Sequence, residues 1–101
     1  MMFVYTTCAD MDEAKRIAKL LIDHKTAACV QFWEVGSMYT WKGEFKAVRE
    51  VALLMKTFEP KLPEIEELIS ANHSYSTPEV AAVDVRRISR PYKEWMQEVI
   101  A

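Results

Sequence analysis

Glycine is nearly missing from this chain of 101 residues: Gly36 and Gly43 are the only two. Two isolated glycines cannot build a loop that cradles phosphates, which excludes the glycine-rich nucleotide sites. Cysteine also stops at two, Cys8 and Cys29, too few for a disulfide framework and too far apart for a Cys-x-x-Cys metal motif. No apolar run approaches the ~18 residues needed to cross a bilayer, so no membrane partner is expected. Positive charge is not in excess: 13 Lys and Arg stand against 15 Asp and Glu, a net charge of −2. That argues against nucleic acid, whose phosphates demand a concentrated basic surface. The one basic cluster, Arg86-Arg87 with Arg90, reads as a solvated face. Neither a nucleophile-elbow sequence nor a Ser-His-Asp arrangement is present, so the expectation is a binding protein rather than an enzyme. The first residues lack the basic n-region and unbroken apolar h-region of a secretory signal. The expectation is therefore a cytoplasmic protein with reduced thiols.

What is present is an ordinary globular composition, half apolar and 28% charged, of a length that fits one domain over residues 1–101. The chain is organised around residues 27–44, rich in β-branched and aromatic types such as Val30, Phe32, Trp33, Val35, Tyr39 and Trp41. This predicts one long strand closed by a Lys42-Gly43 turn, with a bulge or bend at Gly36. Ahead of it, Met2 to Cys8 reads as a strand. Asp10 then caps a helix whose third residue is Glu13 and whose apolar stripe is Ala14, Ile17, Ala18, Leu21 and Ile22. The helix is expected to end near His24-Lys25. After the turn, residues 45–50 return along the arm and residues 51–57 continue as a buried strand. Pro63 opens a second helix, residues 73–79 form a loop, residues 80–85 a fourth strand, and Pro91 a last helix.

The order is α+β, a ferredoxin-like βαββαβ with an added C-terminal helix and a long β2-β3 hairpin. Two crossover helices cover one sheet face only. Yet the strands carry apolar residues on both faces: Val51, Leu53 and Met55 on one side of their strand, Ala52 and Leu54 on the other. An apolar surface of that size should not stay wet. A second copy of the chain, gripped by the overlong hairpin, is the simplest cover; the last helix acting alone is the alternative.

Several segments resemble the CutA family, named for divalent-cation tolerance. They are Asp12-Glu13-Ala14, Ala27-Ala28-Cys29-Val30, Tyr39-Thr40-Trp41-Lys42-Gly43-Glu44, Lys56-Thr57, His73-Ser74-Tyr75-Ser76-Thr77-Pro78-Glu79 and Tyr92-Lys93-Glu94-Trp95. Together they span essentially the whole chain. Ser74 departs from the family pattern, which reads His-Pro-Tyr at this point. The resemblance implies a ferredoxin-like homotrimer whose hairpins wrap neighbouring subunits, a cytoplasmic location in bacteria and archaea, and a link to divalent metal ions, copper foremost. It also implies a trimer architecture similar to the PII signalling proteins.

Two sets of residues could carry chemistry. Cys29 and His73, with Cys8 third, offer the thiolate and imidazole donors that copper and zinc favour, and the resemblance carries metal association onto them. Their structural alternatives are a small buried residue in a strand for Cys29 and a backbone-bonded loop residue for His73. His24 reads as a helix-end residue. The second set is Trp41, Glu44, Lys56, Tyr75 and Glu79, which would line a cleft where one subunit's hairpin meets another's loop. Its alternative is an interfacial ion pair between Lys56 and a glutamate, with Trp41 and Tyr75 as packing anchors. The functional expectation is divalent-cation tolerance through metal binding. The competing readings are a PII-like module that binds a small anionic metabolite through Lys56, and a structural assembly scaffold.

Overall fold

A computed structural model describes residues 1–100. Its elements are β1 (Met2–Cys8), α1 (Met11–Asp23), β2 (Cys29–Trp41), β3 (Glu44–Thr57), α2 (Leu62–Asn72), β4 (Ala81–Asp84) and α3 (Arg90–Val99), with one 3-10 turn, Glu59–Lys61, ahead of α2. The four strands make one antiparallel sheet in the order β2-β3-β1-β4. This is the split βαβ arrangement read from the sequence, with its extra helix.

Local chemistry sets the helix limits. The Asp10 carboxylate accepts the Glu13 N–H at 2.8 Å and satisfies one of the donors a helix start leaves open. At the other end Lys25 takes a φ of +56°. The N–H groups of Lys25 and Thr26 then turn back to the carbonyls of Ile22 and Leu21. That is a Schellman close, with lysine in the left-handed place glycine usually holds.

Side-chain alternation sorts the sheet into two faces. Val4, Thr6 and Cys8 pair with Met55, Leu53 and Val51 on the face toward the helices. There they meet Ile17 and Leu21 of α1 and Ile65 and Ile69 of α2 in a single core. Each large side chain so buried contributes roughly 1.5–3 kcal/mol. The opposite face carries Phe3, Tyr5, Leu54 and Lys56, all half-buried. Helix α3 reaches it at one end, where Lys56 Nζ lies 3.4 Å from the Tyr92 hydroxyl and 5.1 Å over its ring.

The hairpin extends past the sheet. The β2–β3 ladder runs from Cys29 opposite Lys56 to Trp41 opposite Glu44, whereas β1 stops opposite Val51. Residues 44–50 thus keep one edge unpaired over about 24 Å of strand. Lys42 and Gly43 turn with φ of +50° and +79°, the pattern of a tight two-residue hairpin. The expected bulge at Gly36 is absent: Gly36 pairs with Arg49 and both strands advance in step through it. Its φ is not left-handed and a Cβ there would meet nothing within 4 Å, so glycine fills an ordinary strand position. Met38 and Phe45 are 78% and 70% exposed on this arm, and Trp41 and Val48 also face out. The exposed apolar surface is thus concentrated on the arm, whereas Ala52 and Leu54, which the strand pattern put on the uncovered sheet face, are buried and half-buried.

Candidate functional site

The loop after α2 starts with His73, whose side chain is fully buried. Nδ1 lies 3.0 Å from the Tyr75 backbone nitrogen and Nε2 lies 2.7 Å from the Thr7 carbonyl oxygen. A backbone N–H only donates, so Nδ1 is the acceptor. The proton then sits on Nε2 and is donated to Thr7, which fixes a neutral imidazole in one tautomer. Glu13, 7% exposed, supports the same loop from α1. Its Oε1 accepts the Ala9 N–H at 3.0 Å and its Oε2 accepts the Ser74 N–H at 2.8 Å. Burial pushes this carboxyl up, but the donors from Ala9 and Ser74 outweigh it and hold the group below its ordinary value. The Ser74 bond needs a backbone N–H at this position, which a proline there could not supply.

Cys8 completes the cluster. Its sulfur, a Glu13 oxygen and a His73 nitrogen lie within 4.8 Å of one another, the one group of this kind among the described residues. Sulfur, nitrogen and oxygen together suit a borderline ion such as copper or zinc. The arrangement does not fit a resident ion, however. Both His73 nitrogens are engaged, and burial followed by the charge of Glu13 pushes the Cys8 thiol up to about 12. As it stands, the cluster is a closed lock that ties β1, α1 and the loop together.

Beside the lock a cavity of about 500 Å³ opens on the sheet face away from the helices. Tyr5 and Thr7 of β1 and Glu50 of β3 form its floor; Ser37, Tyr39 and Trp41 of β2 form one wall; Tyr75, Ser76, Thr77 and Glu79 of the loop form the other. Glu50 is 7% exposed and accepts the Tyr75 hydroxyl at 2.7 Å. Burial pushes its carboxyl up, but hydroxyl donors from Ser37, Tyr75 and Thr7 prevail and hold it below the usual range. The Tyr75 phenol is pushed up, by burial first and then by its bond to Glu50. Tyr5 is pushed up by burial, then by the charges of Glu79 and Glu50. The lining holds two carboxylates and no Lys, Arg or His.

The structure brings His73 and Cys8 together and leaves Cys29 out. Cys29 pairs with Lys56 and Cys8 with Val51, so the two thiols lie on opposite sheet faces, five positions or about 17 Å apart along β3. Of the second set, Trp41, Tyr75 and Glu79 share the cavity, and they do so within one chain. Two-stranded ribbons twist strongly, which carries the arm over the chain's own sheet face. Lys56 and Glu44 stand apart. Lys56 is six positions from Glu50 and bonded to Tyr92; Glu44 sits at the arm tip with Lys46 at 3.0 Å. Within one chain, Lys56 does not line this cavity. Glu13 and Glu50 were missed by sequence reasoning. Glu13 was legible only as the third residue of the Asp10-capped helix, and Glu50 only as a carboxylate next to the core residue Val51.

The model of the CutA1 divalent ion tolerance protein family matches residues 2–99. The divalent-cation tolerance protein CutA of Archaeoglobus fulgidus is 36% identical over 98 residues, which cover 97% of this chain and 96% of that protein. The solved structure of the periplasmic divalent cation tolerance protein CutA from the same organism superposes with a TM-score of 0.97 at 35% identity, over 100% of both chains. CutA1 from Pyrococcus horikoshii gives the same TM-score of 0.97 at 31% identity, over 100% of this chain and 99% of that one. These names describe tolerance of divalent cations rather than a reaction. With a family match over nearly its whole length and relatives that share both sequence and fold, the chain belongs to the CutA1 divalent ion tolerance family.

Proposed function

We propose that this chain acts in divalent-cation tolerance as a cytoplasmic homotrimer that takes up the ion directly, copper foremost. Family membership supports the cation. The observation that carries direct uptake is the convergence of the Cys8, Glu13 and His73 donor atoms within 4.8 Å. The ion is cargo here, not a built-in cofactor. Entry exchanges the bond from the Tyr75 N–H to His73 for a bond to the ion and removes the Cys8 proton, so affinity rises with pH. Cys29 is a separate soft donor on the face that assembly would cover. The exposed arm residues Met38, Trp41 and Phe45 and the free edge at 44–50 support the trimer.

The test is a competition titration with copper against a calibrated chelator, for the parent protein and for Cys8→Ser, His73→Ala and Cys29→Ser. The expected result is stoichiometric binding weakened at least about tenfold by the first two changes and less by the third. Binding indifferent to Cys8→Ser and His73→Ala overturns the assigned donors. No binding by the folded protein overturns direct uptake.

A further inference from the structure

The one basic cluster of the chain has no role in the metal reading. Arg86, Arg87 and Arg90 stand within five positions of a chain whose net charge is −2. Among the described residues Arg86 and Arg87 enter no ion pair, not even with Asp84 close by, and Arg90 gives its Nε to Glu94 at 2.9 Å. The chain bends at Arg86, and Arg86, Arg87, Ile88, Ser89 and Arg90 line a recess of about 500 Å³ by themselves. We propose that this recess binds a small phosphorylated anion, whose phosphoryl oxygens take hydrogen bonds from Arg86, Arg87 and Ser89.

The donor set points to that ligand class. Three guanidinium groups and a hydroxyl line the recess and no carboxylate does, so a cation would meet only like charge. A guanidinium presents a planar fork of N–H donors that matches a carboxylate or a phosphate two bonds at a time. Two free forks and a hydroxyl offer more donors than one carboxylate can accept from, and a doubly charged phosphoryl group uses them more fully. The segment is held at both ends: the Val85 N–H donates to the Met1 carbonyl at 3.1 Å, and the Lys93 N–H donates to the Ser89 carbonyl at 3.1 Å. Ser89 is the N-cap of α3, yet its side chain accepts no backbone N–H, whereas Asp10 does so for α1. No acidic residue occupies the first turn of α3, so its positive end adds to the field of the arginines. The recess also lies away from the arm. β4 ends with Asp84 opposite Met2, and Met2 lies opposite Thr57, at the far end of β3 from the arm, which leaves the sheet beyond Val51. That puts about 20 Å of strand between the two. The proposal is independent of copper uptake, since it uses no residue of the lock.

The test is calorimetric titration of the protein as it assembles in solution, stripped of divalent ions, with sodium pyrophosphate and with sodium sulfate at physiological ionic strength. Removing divalent ions ensures that no phosphate is counted that a bound cation carries in. Pyrophosphate should bind at least about tenfold tighter than sulfate, because it offers the arginines more charge and more oxygens. Arg86→Gln with Arg87→Gln should weaken it at least about tenfold, and Arg86→Lys with Arg87→Lys, which keeps the charge and loses the forks, should recover only part of that loss. Both side chains are exposed, so the variants should fold as the parent does. Pyrophosphate binding no tighter than sulfate, or indifferent to the glutamine pair, overturns the proposal. Full recovery by the lysine pair also overturns it, because the recess would then be a general positive patch. So does a solution mass that falls in the glutamine pair, which would make these arginines the partners of a neighbouring subunit's acids. Anionic lipid vesicles or a nucleic acid oligomer that bind the patch and resist displacement by pyrophosphate would assign it to a macromolecule and overturn the small anion. None of these results bears on the copper titration with Cys8→Ser and His73→Ala.

Discussion

Glu13→Gln keeps the size and shape of a side chain that joins the start of α1, the end of β1 and the loop, and removes only its charge and one acceptor. The native carboxylate takes backbone N–H groups from Ala9 at 3.0 Å and Ser74 at 2.8 Å. Hydrogen bonds to a charged acceptor contribute about 1.5–3 kcal/mol each. Glutamine keeps one of them and turns an NH2 group toward the other donor. The loss should therefore be one charged bond plus part of the cost of a buried orphan N–H, together about 2–4 kcal/mol. The assay is equilibrium urea unfolding at one fixed protein concentration, because the proposed assembly would make stability concentration-dependent. A pH series sharpens it. The folded-state pKa of Glu13 lies below its unfolded value, so its contribution is complete above the ordinary carboxylate range and is lost as pH falls through the folded value. The gap between parent and variant should shrink on acidification, since Glu50 titrates equally in both. Ser74→Pro removes the same N–H from the other side, and His73, at φ −92° and ψ 145°, already has the extended backbone that precedes proline. The double variant should lose less than the sum of the two singles. A loss under about 0.5 kcal/mol, or a gap that does not change with pH, would refute the reasoning.

Three further outcomes follow, two from single positions and one from a pair. Thr6→Val should stabilise the fold by about 1 kcal/mol, because the Thr6 hydroxyl is fully buried with no hydrogen-bond partner among the described residues; destabilisation in thermal or urea unfolding would show an unrecognised partner. Lys25→Gly should stabilise by about 0.5–1 kcal/mol, the left-handed penalty of a side chain at φ +56° less the greater chain entropy of glycine; no gain would mean the side chain earns its place elsewhere. On the proposed trimer, Met38→Glu with Phe45→Glu, both on the exposed arm, should shift the solution mass by light scattering toward a single chain; a mass unchanged from the parent's would overturn the arm as the interface.

The fold was legible because each element announces itself locally. Asp10 and Glu13 mark a helix start, Lys42-Gly43 a turn, Pro63 and Pro91 the first turns of two helices, and apolar residues on both faces of β3 a sheet that needs two covers. Gly36 misled because glycine also occupies regular strand positions, and nothing in its neighbours distinguishes the cases. The site was less legible because it depends on parity and register. Whether Cys29 shares a face with Cys8 is decided by its pairing opposite Lys56, which a one-residue slip would reverse. Lys56 looked like a ligand group because it interrupts an apolar strand; its partner, Tyr92, is 36 positions away in α3. Glu13 was legible as a cap neighbour, but its bond to Ser74 spans 61 positions and leaves no local trace.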